Sequence, residues 1–295
     1  MRTAVLLLVL IAQAQRSAPT FSSRSDLVVL HVSVVDGRAG FVGGLPREAF
    51  VVREDGRPRE IAFFENEDTP VSVGLVVDNS ASMQRRRDAV IAAGMAFAQS
   101  SHPADEIFTL NFNEHVWPGL PDGHAFTTDH DELRVALSRA GARGQTALFD
   151  AIDRALEHLD GGTQQRKVLI VVSDGGDNAS RRTFDDVLDR ALRRDVVIYT
   201  IGLDDPVAGE ARPKVLRELA AVTGGEAFFP HKNEEITTAL ERIARDIRSS
   251  YTLGYVPDGD RTAGRRRIQV DVHAPDRRGL HARARSLYLP AGQQR

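Results

Sequence analysis

Hydrophobic residues follow two different patterns along the chain, and each pattern predicts a different kind of structure. Towards both ends, short runs rich in β-branched residues are separated by turn residues, as where 27–35 is followed by Asp36-Gly37. This pattern is typical of antiparallel strands. Between Pro70 and Ser250, strongly apolar runs such as 71–77 alternate with segments of helical period. That alternation predicts a mostly parallel sheet covered by helices on both faces.

Each flank of the chain contains three predicted strands. They are 27–35, 49–54 and 60–65 in the N-terminal flank, and 251–256, 267–273 and 280–287 in the C-terminal flank. The turn residues Asp55-Gly56-Arg57-Pro58 separate the second strand from the third. Three short strands cannot bury a stable core alone, so we expect the two flanks to pair with each other. Two separate β appendages packed on the central domain are the alternative.

The central region alternates strands and helices along its whole length. The predicted strands are 71–77, 107–112, a short extended piece in 113–120, 167–172, 196–201 and 227–229. The predicted helices are 84–101, 130–139, 147–159, 184–193, 213–222 and 234–248. The predicted fold class is therefore α/β, with a doubly wound, mostly parallel, six-stranded Rossmann-like sheet. This domain would be inserted in a small discontinuous β domain that the N- and C-terminal flanks form together.

The N-terminus has the character of a targeting segment. Met1-Arg2-Thr3 carries a positive charge, 4–12 is apolar, and Ala12-Gln13-Ala14 has the small-x-small form of a signal peptidase site. We therefore expect an exported protein, located in the periplasm, secreted or held at the cell surface. No other run in the sequence is long and apolar enough to predict a membrane span.

These patterns divide the chain into six segments. They are a signal peptide (1–14), a mobile leader (15–26), the N-terminal β flank (27–67), the central domain (68–250), the C-terminal β flank (251–290) and a tail (291–295).

Composition excludes several classes of site. The 295-residue chain has no cysteine, which excludes disulfides, zinc–thiolate sites, iron–sulfur clusters and a cysteine nucleophile. The formal net charge of −3 argues against a nucleic-acid partner, since such proteins usually carry a basic excess. Any metal must therefore be held by oxygen ligands or by histidine.

Oxygen-bearing side chains follow two of the apolar strands at the point where each strand ends. Asp78-Asn79-Ser80-Ala81-Ser82 follows 71–77, and Ser173-Asp174-Gly175 follows 167–172. In open α/β sheets, ligands bind at the carboxyl ends of strands where the strand order reverses, so we expect these loops to meet there. The loop before the helix at Ala147 brings a third hydroxyl, that of Thr146.

Two carboxylates and three hydroxyls form an all-oxygen site. The predicted ligands are Asp78, Ser80, Ser82, Thr146 and Asp174. Hard oxygen ligands favour Mg²⁺, with Mn²⁺ or Ca²⁺ as alternatives. Two converging carboxylates would repel each other without a cation. The alternative is structural: Asp78 and Ser80 are also favoured residues for capping a helix that starts near Ser82.

These residues resemble the metal-ion-dependent adhesion site of von Willebrand factor A domains. The resemblance rests on Asp78-x-Ser80-x-Ser82, then Thr146, then Asp174 in Ser-Asp-Gly. Further motifs resemble an exported bacterial "VWFA-related" group typical of acidobacteria. They are Arg53-Glu54-Asp55-Gly56, Thr146 to Ile152, Thr223-Gly224-Gly225 and Tyr251-Thr252-Leu253-Gly254-Tyr255. Ala81 and Gln145 depart from this group, in which glycine is frequent at both positions, and neither change removes a ligand.

The resemblance implies a binding protein and not an enzyme. In related domains, an Asp or Glu of a protein partner completes the coordination of the metal, so we expect a protein ligand that supplies a carboxylate. A metal-dependent hydrolase and a structural envelope or secretion scaffold with an idle site are the alternatives. Asp177 is interpreted as a turn or helix-cap residue, with a role behind the metal ligands as its alternative. The sequence does not predict an oligomeric state.

Overall fold

The computed structural model describes residues 27–38, 40–139, 141–203, 212–257 and 264–290. The predicted signal peptide, mobile leader and tail lie outside the described residues. Within those ranges, no helix combines the length and apolar character that crossing a membrane requires.

Fourteen strands and six α-helices are present in the described part of the chain. The strands are β1 (Val28–Val35), β2 (Phe50–Glu54), β3 (Arg57–Arg59), β4 (Ile61–Glu65), β5 (Val71–Asp78), β6 (Glu106–Phe112), β7 (Val116–Pro118), β8 (Arg166–Ser173), β9 (Val196–Gly202), β10 (Ala227–Phe228), β11 (Tyr251–Tyr255), β12 (Arg266–Val272), β13 (His281–Arg283) and β14 (Leu287–Tyr288). The helices are α1 (Arg87–Ser100), α2 (His130–Ser138), α3 (Leu148–Leu159), α4 (Phe184–Arg194), α5 (Pro213–Thr223) and α6 (Asn233–Ser249).

The central sheet has six strands in the order β10-β9-β8-β5-β6-β7. Neighbours within β10-β9-β8-β5-β6 are parallel, and only β7 runs antiparallel, against β6. The chain passes from β5 to β6 on one side and later returns to β8 on the other side. The strand order therefore reverses between β5 and β8, as the sequence predicted, and the loops after these strands lie side by side.

Helices cover both faces of the central sheet. All eight residues of β5 are buried, and successive side chains point to opposite faces. Val73 and Leu75 belong to the hydrophobic cluster that includes Phe97 of α1 and Ile243 of α6. Val76 belongs to the opposite cluster, which α3, α4 and α5 cover. The predicted fold class is confirmed in this domain.

The two flanks form two four-stranded antiparallel sheets. The strand orders are β13-β1-β11-β4 and β14-β12-β2-β3, so each sheet combines strands of both flanks. Both sheets contribute to one hydrophobic cluster, in which the Phe50 and Tyr251 rings are 4.8 Å apart. The flanks thus pair with each other, as expected, and are not two separate appendages.

Two details of the flanks differ from the sequence predictions. The turn predicted over 55–58 is confined to Asp55 and Gly56, whose φ angles of 50° and 79° suit a two-residue hairpin. Residues 57–59 therefore continue as β3, an edge strand in which Pro58 is tolerated.

The single strand predicted over 280–287 is instead two strands in different sheets. β13 pairs with β1, whereas β14 pairs with β12. Between them, the buried Arg285 forms an ion pair with Asp195, with 3.2 Å between Nη1 and Oδ1, and donates a 2.8 Å bond to the Val29 carbonyl. These contacts hold the chain where it crosses from one sheet to the other.

Candidate metal centre

The first predicted ligand, Asp78, is the last residue of β5 and is only 2% exposed. Its Oδ1 accepts a 2.8 Å bond from the Ser80 amide, and its Oδ2 accepts a 2.6 Å bond from Ser173 Oγ. Burial, with a smaller contribution from the nearby Asp174, raises the pKa of Asp78 to about 6 against the effect of these hydrogen bonds. The carboxylate is therefore fixed in orientation and costly to ionise without a cation.

Ser80 and Ser82 extend the cluster from Asp78 towards Asp174. Their Oγ atoms are 3.1 Å apart, and Ser82 Oγ donates a 2.8 Å bond to Asp174 Oδ2. Ser80 precedes a short 3-10 helix (Ala81–Arg85), but its side chain makes no capping hydrogen bond. The capping alternative for Ser80 is therefore not supported.

Asp174 is the first residue of the loop that follows β8, the strand next to β5. Its Oδ1 accepts a 2.8 Å bond from the Gly176 amide, and its main-chain carbonyl accepts one from the Arg212 amide. Asp174 is 5% exposed. Its Oδ2 contacts Ser82, so the carboxylate connects the loops after β5 and β8.

Thr146 lies in the loop before α3 and is also buried. Its amide donates a 2.9 Å bond to Asn178 Oδ1, and its carbonyl accepts bonds from the amides of Asn178 and Ala179. The Gly144 carbonyl accepts from the Ala81 amide, which attaches the Thr146 loop to the Ser80–Ser82 segment. The backbone thus brings Thr146 to the same edge of the sheet, through its loop and not through a side-chain contact with the other four residues.

Gly144 is required by the conformation of this loop. Its φ is +83°, a region that favours glycine, and a Cβ there would lie 1.8 Å from Glu114 Oε2. The Glu114 carboxylate accepts a 3.0 Å bond from the Gln145 amide. The close approach of Glu114 therefore helps to fix the backbone that presents Thr146.

Two oxygen–oxygen separations in this cluster match those between neighbouring ligands of an octahedral divalent ion. Neighbouring ligands of an ion with metal–oxygen distances of about 2.1 Å lie about 3 Å apart. The Ser80–Ser82 and Ser82–Asp174 oxygen separations are 3.1 and 2.8 Å. All donors are hard oxygen atoms, which suits Mg²⁺ or Mn²⁺. In the described parts of the chain, no three His, Cys, Asp or Glu side chains group as a metal site, so a metal held by this cluster would need hydroxyl ligands.

Asp177 accepts hydrogen bonds that belong to local structure. Its Oδ2 accepts a 2.9 Å bond from the Phe149 amide in the first turn of α3, and its Oδ1 accepts one from the Ser180 amide. These contacts agree with the interpretation as a turn and helix-cap residue.

Sequence reasoning missed three polar residues that support the cluster. Ser173 donates to Asp78, and Asn178 holds the Thr146 backbone. Asn79 donates 2.9 Å to Asn111 Oδ1 of β6, which attaches the loop after β5 to the next strand. Each lies next to a predicted ligand or motif residue, but its partner is far away along the chain.

Comparison with protein families decides the classification. The model of the von Willebrand factor type A domain matches residues 72–243, which is more than half of the chain. The protein belongs to the von Willebrand factor type A domain family. Its assignment to the acidobacterial VWFA-related group stays a prediction. Comparison with curated proteins gives no match.

Solved structures share the von Willebrand factor A fold at low sequence identity. A von Willebrand factor type A protein from Catenulispora acidiphila is 14% identical with a TM-score of 0.53, and the match covers 91% of this chain and 75% of that one. Proximal thread matrix protein 1 from the mussel byssus is 14% identical with a TM-score of 0.53, over 66% and 51% of the two chains. The vWF domain of the type V pili tip protein Mfa5 from Porphyromonas gingivalis is 15% identical with a TM-score of 0.50, and the match covers 61% of this chain and 95% of that one.

Proposed function

We propose that this von Willebrand factor A domain binds a protein partner through one divalent metal ion. The ligands would be Asp78, Ser80, Ser82, Thr146 and Asp174, directly or through water, and the ion would be Mg²⁺, with Mn²⁺ or Ca²⁺ as alternatives. A bound ion would supply a Lewis-acidic position that accepts a carboxylate oxygen from an Asp or Glu of the partner. The proposed activity is binding and not catalysis.

The observation that carries this proposal is a pair of buried carboxylates without a side-chain cation. Asp78 and Asp174 are 2% and 5% exposed, and no ion pair involving either one occurs among the described residues. Buried charges are normally paired or bound to metal. The proposed ligands Ser80, Ser82 and Thr146 add only neutral hydroxyl oxygen atoms, so the two carboxylates leave a net charge that one divalent ion would neutralise.

The proposed function places the metal-binding domain outside the cytoplasm and gives each other segment of the chain a role. We propose export through the signal peptide 1–14, with residues 68–250 as the binding domain and 27–67 with 251–290 as one β domain. The strand pairing of the two flanks supports this division. The periplasm and the cell surface would both satisfy the proposal.

The metal site is tested by Asp174→Ala with Asp177→Ala as the matched control. Both aspartates follow β8, but only Asp174 contacts a serine of the cluster. Wild type at a Mg²⁺ concentration of about 100 times Kd should gain about 2.7 kcal/mol of stability. Asp174→Ala should lose this gain, and Asp177→Ala should retain most of it while losing stability equally with and without metal.

The measurement is thermal unfolding of the full chain with Mg²⁺ and with a chelator. Equal melting temperatures of wild type in the two conditions, repeated with Mn²⁺ and Ca²⁺, would reject the metal site. A pull-down from envelope extract in Mg²⁺ and in chelator then tests the partner. A partner retained equally well in chelator would reject metal-dependent binding.

A further inference from the structure

A groove opens beside the metal centre, between the β6–β7 turn and the loop that follows α2. It has a volume of about 710 Å³. We call it the rim groove and define it by the residues Asn113, Glu114, His115, Trp117, Arg139 and Arg143. The proposed function does not use any of these side chains.

The rim groove is continuous with the loops that carry the candidate ligands. The Arg143 amide donates a 2.8 Å bond to the carbonyl of Asn79, which lies between Asp78 and Ser80. The Asn113 carbonyl accepts a 2.8 Å bond from the Ala147 amide, next to Thr146. A partner segment that reaches the metal would therefore pass the groove within a few residues.

The side chains of the groove favour a negatively charged occupant. Arg139 and Arg143 are both exposed, as is His115. The one carboxylate, Glu114, accepts hydrogen bonds from its own amide and from the Gln145 amide, which lower its pKa, and His115 and Arg143 lower it further. The groove thus contains two permanent positive charges against one negative charge that is already engaged.

The backbone around the groove is held in place. Asn113 Nδ2 donates a 3.2 Å bond to the Arg143 carbonyl, and the Asn113 side chain also accepts from the His115 amide. Trp117 is paired with Asn111 in the β6–β7 ladder and is half-buried. Arg139 donates a 3.4 Å bond to the Gly119 carbonyl, so other donors of its guanidinium remain for a ligand.

We propose that the partner segment carries two acidic side chains. The carboxylate of the first completes the coordination of the metal, and the rim groove recognises the second. This inference rests on the proposed function and specifies the partner as an acidic segment. Arg139 and Arg143 would bind the second carboxylate, and Trp117 would pack against the intervening residues. The charge complementarity of the groove carries this choice.

The test uses a double variant that leaves the metal ligands intact. Arg139→Gln with Arg143→Gln removes both charges from exposed positions, so the fold and the Mg²⁺-dependent rise in melting temperature should be unchanged. The matched control is Arg134→Gln, which removes an exposed arginine of α2 that pairs with Asp131 outside the groove.

The probe is a displayed library of random peptides, selected on each protein in Mg²⁺ and in chelator. Wild type and Arg134→Gln should enrich peptides with two acidic residues a few positions apart, and only in Mg²⁺. Peptides selected on the double variant should retain one acidic position and lose the second. Replacing the second acidic residue of a selected peptide by its amide should weaken binding to wild type about tenfold, with little effect on the double variant.

Trp117 provides a direct readout, because it is the only tryptophan in the chain. A selected two-acid peptide should change the tryptophan fluorescence of wild type, and its one-acid counterpart should change it less. The same comparison in the double variant should show no difference between the two peptides.

The failures of the two proposals are distinguishable. If wild type gains stability from Mg²⁺ but selects peptides with a single acidic position, with basic residues, or not at all, the rim groove proposal is overturned and the metal site stands. If wild type gains no stability from any divalent ion, the proposed function fails, and this inference fails with it.

Discussion

Two buried carboxylate clusters in this protein are built in opposite ways. In the β domain, Glu54 is completely buried and forms ion pairs with Arg59 at 2.8 Å and Arg266 at 3.2 Å, and Tyr255 donates to it. At the edge of the central sheet, Asp78 and Asp174 are nearly as buried. Their contacts in the described structure are hydroxyls and backbone amides.

This difference is the one expected between a structural cluster and the metal site that we propose. Taking a carboxylate out of water is expensive, and a nearby arginine offsets that cost within the chain. Hydroxyls and amides orient a carboxylate, but they do not neutralise its charge. The charge of Glu54 is therefore compensated within the folded chain, whereas the site that we propose around Asp78 would be completed by a cation from solution.

The largest expected effect is in the cluster around Glu54. Glu54→Gln keeps the side-chain shape but removes the buried negative charge that Arg59 and Arg266 contact. Breaking a buried ion pair in this way costs about 3–5 kcal/mol. Urea unfolding should show this loss equally in Mg²⁺ and in chelator, because Glu54 lies in a flank sheet and the proposed metal site lies at the edge of the central sheet.

The surface pair Arg53–Asp271 is the control for this prediction. It joins neighbouring strands of the same sheet at 3.3 Å, but both side chains are substantially exposed. Asp271→Asn should therefore cost less than about 1 kcal/mol. A Glu54→Gln protein as stable as wild type would show that the charge of Glu54 is not needed to compensate the two arginines.

A smaller effect is expected at the residue that orients Asp78. Ser173→Ala removes the 2.6 Å hydrogen bond to Asp78 Oδ2. Loss of a group that positions a metal ligand typically lowers metal affinity about 10- to 100-fold. Isothermal titration with Mg²⁺ measures this change directly.

Ser72→Ala is the matched variant, since Ser72 is also a buried serine of the central sheet. It lies at the opposite end of β5, where it donates a 2.5 Å bond to Glu106. The metal affinity of Ser72→Ala should equal that of wild type. Equal affinities of Ser173→Ala and wild type would show that Asp78 does not depend on Ser173.

Sequence patterns predicted most of the fold because its central strands are buried on both faces. Such strands are recognisable as short apolar runs, and the polar residues at their carboxyl ends mark the candidate site. The prediction failed where the chain changes sheets at Arg285. Arg285 pairs there with Asp195, which is remote in sequence, so the local pattern of hydrophobic residues could not predict the crossing.

The supporting residues could be predicted only in part. Ser173 precedes Asp174, but its hydrogen bond to Asp78 depends on the side-by-side placement of β5 and β8. Glu54 had a usable signal: it continues the alternation of Phe50 and Val52 on the buried face of β2. A charged residue at such a position predicts a buried ion pair, although not the identity of its distant partner.

The smallest expected effect is also the most direct test of the comparison. Asp78→Asn removes a buried negative charge that no side-chain cation offsets in the described structure. Burial raises the pKa of Asp78 from 3.8 to about 6, so the ionised carboxylate destabilises the native state once the pH exceeds these values. The rise in the pKa of Asp78 corresponds to about 3 kcal/mol. After the hydrogen bonding that the amide loses is subtracted, the variant should gain on the order of 1–2 kcal/mol in chelator at pH 8. The gain should shrink as the pH falls from 6 towards 4, because Asp78 of the native wild type is then protonated and neutral, like the asparagine of the variant.

In Mg²⁺ the sign should reverse, since only wild type would gain stability from the ion. The control is Asp246→Asn: Asp246 is 1% exposed, forms an ion pair with Arg283 and accepts a bond from Tyr199. Removing that charge should destabilise the protein under both conditions. If Asp78→Asn behaved like Asp246→Asn in chelator, then the charge of Asp78 would already be compensated within the chain. The cluster would then require no cation from solution.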